Sequence, residues 1–517
     1  MSTPETHIHD IVGIGIGPFG LGLAALSDPL PDVDGVFLDQ RKEFRWHPGM
    51  MIEGATVQVP FLADLVTMAD PTSRFSFLQF LKDSGRLYPF YIREPFYPLR
   101  AEFDEYCRWV AAQLDTLRWN RTVTSVTRDN DIYTVTAEVA DQSGQALRTE
   151  SYRARHLVLG VGTSPVLPPA LRGLDAESAE GVGGPVAQGG GPVIHTSQYL
   201  DHREALLESG SITIVGSGQS AAEIYRDLID EAEARKVRLD WVTRSPRFFP
   251  MEYTKLTLEM TSPEYTDHFR ALPDDLPDDL RELLGREQRT LYKGISAELV
   301  DDIHDTLYRL SRCGRKLRTN LLAESELISA GRDVNTGDYA LRFRNTALDK
   351  CFDRRSGSVV SATGYKSQVP DFLAPLGDEI RLDAKGRLDV SRLYTVNDAG
   401  TIHVLNGEEH THGVTAPDLG FGPWRASVVL SHVTGREPYP IEKTIAFQTF
   451  GIPDDGADDD GVLDDGALES AAEEGAAPLS TRDDFESHFD FADSDADSEP
   501  HSDSDSRAAE DREMTHV

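Results

Sequence analysis

At 517 residues with 39% hydrophobic content, the chain exceeds one compact core and can bury sheets, so two domains plus a tail are the natural expectation. Of its formal charge of −36, −20 falls in residues 451 to 517, where 23 acidic residues face three arginines. The body keeps −16, which suits a surface solvated in high salt and argues against nonspecific nucleic-acid binding.

Cys107, Cys313 and Cys351 have no CxxC spacing, which excludes a redox dithiol, a zinc knuckle and a disulfide framework; no metal site is expected. No basic-then-apolar leader and no apolar run near the ~20 residues that span a bilayer is present, so no membrane partner and a cytoplasmic location are expected.

In chain order, Ile11-Val12-Gly13-Ile14 reads as a strand, followed by a glycine turn and a helix through Leu21, Leu23 and Leu26. A second strand, Gly35 to Leu38, ends on Asp39. Residues 40 to 80 read as long ordered loops with a short helix, Tyr133 to Ala137 as a hairpin strand and His156 to Gly160 as a closing strand. The Gly/Ala/Val/Pro run from Glu180 to Pro192 reads as a surface insertion. The pattern then restarts: strand Ile212 to Val215, glycines 216 and 218, a helix from Ser220 to about Ala234 and a strand Leu239 to Val242. Charged, helix-like residues fill 255 to 330, further strands follow at Ser358 to Ala362 and Thr401 to Leu405, and the acidic tail cannot bury enough surface to fold.

Gly15-Ile16-Gly17-Pro18-Phe19-Gly20 is a GxGxxG turn, whose glycines let a backbone approach a pyrophosphate at a helix N-terminus. Asp39 stands 24 residues after Gly15, where a carboxylate can accept from a ribose hydroxyl. The second copy is Gly216-Ser217-Gly218-Gln219-Ser220-Ala221. Arg244 and Arg247 follow its second strand in place of an acid, which suits a 2′-phosphate and hence NADPH. Two dinucleotide sites point to hydride transfer from a nicotinamide to a flavin. Without a cysteine pair a disulfide reductase is excluded, and oxygen remains as the common acceptor, for a monooxygenase or an oxidase.

Trp46-His47-Pro48-Gly49-Met50, Gln58 to Leu65, Ala362-Thr363-Gly364-Tyr365 and Thr411-His412-Gly413, together with both glycine turns in this order, resemble the lysine/ornithine N-monooxygenases of hydroxamate siderophore biosynthesis. The resemblance runs from about residue 9 to 440. It implies an α/β fold with two Rossmann-like dinucleotide-binding domains of the class B flavin monooxygenase type. The FAD domain would comprise residues 1–195 and 356–450, and the NADPH domain residues 196–355 with a small helical substrate module at about 255–330, followed by a disordered acidic tail, 451–517.

It implies FAD and NADPH as cofactors, O2 as co-substrate, and N-hydroxylation of a small primary amine through a C4a-hydroperoxyflavin. By the same resemblance Gln58 and His47 serve catalysis, Trp46 and His47 pack on the isoalloxazine, and Thr363 and His412 belong to the cofactor site. Similar enzymes are often homo-oligomers, and an acyltransferase and a siderophore synthetase act downstream.

The chain departs from the amino-acid hydroxylases where they bind the α-carboxylate. Ala63 stands where they carry a lysine, and Gly420 where they carry a serine. Their substrate-holding asparagines fall near Leu258 and Leu291, followed by Lys293. Each lost charge-assisted bond costs ~1.5 to 3 kcal/mol, so the expected substrate is a diamine: 1,3-diaminopropane, putrescine or cadaverine. The alternatives are L-lysine N6- or L-ornithine N5-hydroxylation with Lys293 compensating, and, more distantly, a non-catalytic redox-sensing module. A Baeyer–Villiger or xenobiotic flavin monooxygenase would read FxGxxxHxxxW, and Val193 to Tyr199 lacks it.

Overall fold

The computed structural model describes residues 7–141, 146–174, 190–273, 280–288 and 290–452. Most of the glycine-rich insertion and nearly all of the acidic tail lie outside them. The first sheet is built from β1 (Ile8–Ile14), β2 (Gly35–Leu38), β3 (Leu117–Arg118), β4 (Arg121–Asp129), β5 (Ile132–Ala140) and β6 (Ala146–Leu159), in the order β3-β2-β1-β6-β5-β4. β1 is flanked by parallel neighbours, β2 and β6, which is why Ile11, Val12 and Ile14 are all buried and the run reads as continuously apolar. β6 changes partners along its length: Ala146 to Ala154 pairs antiparallel with β5, and Leu157 to Leu159 pairs in parallel with Ile402–Val404.

The second sheet is all parallel, in the order Thr319–Leu322, Arg238–Val242, Ser211–Val215, Ser358–Ser361, Val193–His195. The expected divisions at residues 195 and 355 therefore need correction, because Val359 pairs with both Val193 and Thr213 inside this sheet. Short runs buried on both faces look alike in any parallel sheet, so composition does not say which one they join. The helical stretch also stops earlier than expected. Helices run from Lys255–Leu258 to Ala297–Leu310, after which Thr319–Leu322 enters the sheet. Ser325–Arg332, Tyr339–Asn345 and Lys350–Ser356 then form a three-stranded antiparallel sheet.

Three histidines pin the C-terminal third to the first sheet. His156 on β6, His403 on Ile402–Val404 and His432 on helix Gly422–Thr434 have ring centroids 5.2 to 6.4 Å apart. Burial lowers all three pKa values, with mutual repulsion adding to it at His156 and His403: His156 falls to about 4 and His403 to about 3. The folded state thus holds neutral rings, while the unfolded chain takes up protons below pH 6.5. Their contribution is full above pH 6.5 and is lost as the pH falls towards 4, about 3 kcal/mol for a depression from 6.5 to 4. The thermal midpoint is expected to stay level from pH 8 to 7 and to drop by roughly 5 °C by pH 4.5, with a shallower drop in His403→Phe; equal slopes in the two proteins count against this origin.

Candidate active site

One continuous cleft of about 2010 Å³ runs past both glycine turns, well above the ~300–1,000 Å³ of an ordinary small-ligand pocket. At the first turn, β1 ends at Ile14 and Gly15 follows with φ +101°, where a Cβ would lie 2.2 Å from the Gly160 carbonyl oxygen. Gly17 begins helix Pro18–Ser27 with no side-chain cap, and a Cβ on Gly17 meets nothing within 4 Å. The first amides of the helix therefore face an open cleft, a ready-made anion site.

Asp39 is buried at the end of β2 and accepts the Ile16 amide at 2.8 Å, but it is not free for a ribose as expected. The Arg41 amide and guanidinium take its oxygens at 2.7 to 3.0 Å. Burial alone would raise the carboxyl's pKa; Arg41 and the two amides outweigh it and hold the pKa below the usual value. Arg41, which also donates to the Ile16 and Arg45 carbonyls, is a cleft residue that the motif does not announce.

Trp46 packs between Phe103 and His47, with its amide donating to Asp104 at 2.8 Å. His47 is held in the left-handed region at φ +48° and turns its ring towards Tyr365 across 5.9 Å. It is open to the cleft yet walled by protein, and burial, then the fields of Arg100 and Arg41, lower its pKa to about 4. The ring is neutral near pH 7. Gln58 lines the same wall, and its buried Nε2 has no hydrogen-bond partner among the described residues. An orphaned amide donor in a cleft is costly unless a ligand accepts from it.

At the second turn Gly216 has φ +141°, and a Cβ would lie 2.1 Å from the Ala362 carbonyl oxygen, so the Ala362-Thr363-Gly364-Tyr365 motif closes this turn from behind. Gly218 starts helix Gln219–Arg235, again without a side-chain cap. Gln219 is committed to structure: it donates to Glu223 and accepts the Ser296 amide. Arg244 and Arg247 line the cleft beside Ser220 with no ion pair among the described residues, Arg247 lying over the Phe249 ring. Arg100 spans the two turns, donating to the Met50 carbonyl at 2.8 Å and bidentately to Glu223 at 2.8 and 2.9 Å.

The opposite wall carries Leu258, Leu291 and Lys293. Lys293 is not a free cation: its Nζ sits 2.8 Å from Glu409, which also accepts from Tyr292. Ala63 and Gly420 do not line the cleft. They pack together behind it, a Cβ on Gly420 coming 3.4 Å from the Ala63 Cβ and 3.1 Å from Asp418 Oδ1, and Asp418 and Leu419 form the surface instead. Behind them Arg425 and Glu408 form a fully buried ion pair, with Arg425 over the Phe19 ring and donating to the Ala416 carbonyl. His412 is corrected to a core residue, buried and stacked on Tyr394 at 4.7 Å, because packing of its helix against that ring turns it away from the cleft. Thr363 does line the cleft. Among the described residues His7, His9 and Asp34 gather possible metal-ligand atoms within 4.8 Å, and none of them lines the cleft.

Comparison with known proteins places this geometry. A family model described as L-lysine 6-monooxygenase/L-ornithine 5-monooxygenase matches residues 7–367. A putrescine N-hydroxylase of Shewanella oneidensis is 44% identical over 456 residues, 87% of this chain and 86% of that protein. The structure of DfoA bound to FAD, a cadaverine monooxygenase of the desferrioxamine biosynthetic pathway from Erwinia amylovora, superposes with a TM-score of 0.80 at 44% identity, covering 87% of this chain and 99% of that one. KtzI, an ornithine N-hydroxylase of Kutzneria sp. 744 solved with reduced FAD, NADP+ and L-ornithine, gives a TM-score of 0.71 at 27% identity over 83% and 99%.

Arg100 and Glu223 are only 13% and 7% exposed, so deleting one partner strands the other charge. Arg100→Leu is expected to lower unfolding stability by about 3–5 kcal/mol in urea titrations, and Arg100→Leu with Glu223→Leu to regain part of it. A single variant as stable as the parent rules out this role for the pair.

Proposed function

The chain belongs to the L-lysine 6-monooxygenase/L-ornithine 5-monooxygenase family, and from that membership we propose that it is an NADPH-dependent flavoprotein N-monooxygenase that hydroxylates one nitrogen of a diamine for hydroxamate siderophore synthesis. The observation that carries the choice of a diamine is that Ala63 and Gly420, small and packed behind Asp418 and Leu419, send no cation or hydroxyl into the cleft to bind an α-carboxylate. Lys293, the cation that could compensate, is already held by Glu409.

The residues present fit both cofactors. The uncapped N-terminus of helix Pro18–Ser27, with Gly15, Gly17, Pro18 and Gly20, suits the FAD pyrophosphate, the Asp39–Arg41 pair its ribose edge, and Trp46, His47, Gln58 and Thr363 the ring end. Gly216, Gly218 and Ser220 suit the NADPH pyrophosphate, and the unpaired Arg244 and Arg247 its 2′-phosphate. When bound, NADPH supplies a hydride to the flavin, and the reduced flavin with O2 supplies the oxygen atom that the amine takes up.

The chain's own part is positioning and desolvation. Gln58 offers the only orphaned side-chain amide donor found along the described cleft wall, fixing whatever acceptor comes to rest there. With a pKa near 4, His47 cannot hold a proton near pH 7, so it orients as an acceptor and adds no positive charge against the incoming amine. Leu291, Val414 and Leu419, beside the exposed Leu258, give this end of the cleft apolar surface, which favours the neutral, nucleophilic amine over an ammonium with a solution pKa of about 10.4. In this reading the protein works in the cytoplasm, where NADPH is regenerated, as a homo-oligomer whose hydroxylated amine passes to an acyltransferase and then to a siderophore synthetase.

Coupled hydroxylamine formation with NADPH, measured for putrescine, cadaverine, 1,3-diaminopropane, L-lysine and L-ornithine in parallel, is expected to give the lowest KM with a diamine. Coupled turnover of L-lysine at a lower KM than any diamine overturns the reading. Arg244→Ala with Arg247→Ala is expected to raise the KM for NADPH ~10- to 100-fold while leaving kcat/KM with NADH nearly unchanged. Equal losses with both nucleotides place the 2′-phosphate elsewhere.

A further inference from the structure

We propose that Asp418 is the subsite for the second, non-reacting ammonium of the diamine, an inference that rests on the diamine reading above. Asp418 lies on the cleft wall between Pro417 and Leu419. Its Oδ1 accepts the Phe421 amide at 2.9 Å, which fixes the carboxylate's orientation, and no side chain among the described residues donates to the carboxylate. The backbone that carries it is anchored from behind, since Arg425 holds the Ala416 carbonyl at 2.9 Å and is itself neutralised by Glu408.

The neighbouring positions explain why an acid can stand here. A Cβ at residue 420 already reaches 3.1 Å from Asp418 Oδ1 and 3.4 Å from the Ala63 Cβ, so residues 63, 418 and 420 share one small volume. A lysine at 63 would bring its cation beside Asp418 and pair with it, and a serine at 420 would crowd Oδ1. Where an amino-acid hydroxylase presents a cation and a hydroxyl, this chain presents an anion. The sign of the wall is inverted, so it attracts an ammonium and repels an α-carboxylate.

Of the acids on this wall, Glu409 is engaged by Lys293 and Tyr292, and Glu252 accepts from Thr290. Glu287, also without a side-chain partner among the described residues, is exposed, whereas Asp418 combines the absence of a side-chain partner with a partly buried place and an orientation fixed by the Phe421 amide. Its surroundings penalise an isolated charge, and burial raises its pKa despite the nearby Arg425 and the amides of Phe421 and Gly420. An arriving ammonium supplies the counter-charge that the protein withholds. Because one nitrogen is held as a cation, the other can sit neutral at the apolar end of the same cleft.

The test uses the full-length, FAD-loaded enzyme and compares putrescine and cadaverine with the monoamines 1-aminobutane and 1-aminopentane. Asp418→Asn is expected to raise the KM for both diamines ~10- to 100-fold and to leave the monoamine KM unchanged or lower, with Asp418→Glu retaining part of the diamine preference. FAD content, thermal midpoint and amine-independent NADPH oxidation should match the parent, which separates a lost contact from a damaged fold. A diamine KM within about threefold of the parent, equal losses for diamines and monoamines, or a larger effect from Glu409→Gln overturns the assignment to Asp418. If the parent itself turns over no diamine, the diamine reading fails first, and the two failures are told apart by the parent enzyme alone.

Discussion

The paired hydrogen bonds from Arg100 to Glu223 join the wall that carries Trp46 and His47 to the helix that starts at the second glycine turn. Arg100 reaches back to the Met50 carbonyl, Glu223 accepts from Gln219, and Gln219 accepts the amide of Ser296, the residue that opens helix Ala297–Leu310. One chain of polar contacts thus passes from the first nucleotide unit through the second and into the helical stretch. Taking two charges out of water is expensive, and the bidentate geometry with every neighbour satisfied is what offsets it. Hydride transfer between two separately bound cofactors needs their sites held in fixed relation, and this pair is where the relation is set.

Around that fixed frame the cleft is polarised along its length. In the proposed reading, arginines 41, 244 and 247 face the phosphates, whereas the region proposed for the amine carries Glu252, Glu287, Glu409 and Asp418 beside Arg286 and Lys293. His47, whose pKa is lowered by desolvation and by the fields of Arg100 and Arg41, adds no charge of its own to the cleft near pH 7. The helix N-termini add partial positive charge at the phosphate ends without any side chain, which is why neither Gly17 nor Gly218 is replaced by a capping residue.

The parts of this architecture that were legible in the sequence are those whose constraint is local. A strand, a turn that must pass through φ of +101° or +141°, and a helix leave a short glycine pattern, so both nucleotide turns could be read directly. Asp39 was legible in position but not in partner, because Arg41 folds back on it through contacts that no spacing encodes. His412 stood out as part of a motif, yet its place depends on the ring of Tyr394, a neighbour only in the fold. Val193–His195 and Ser358–Ser361 gave no hint of which sheet they join. The strand Tyr339–Asn345 did carry a clean alternation of buried and exposed residues, a signal strong enough to have revealed the third sheet. Asp418 was silent, since its meaning comes from Ala63 and Gly420 being small beside it.

The crowding of residues 63, 418 and 420 into one volume also bears on how such an enzyme can change over time. On the assignment of Asp418 as the ammonium subsite, no single substitution carries it from a diamine to an amino acid: a lysine introduced at 63 meets that carboxylate and pairs with it, and removing the carboxylate first leaves a wall that holds neither kind of substrate. The exchange has to pass through a sequence fit for neither, or take two steps together.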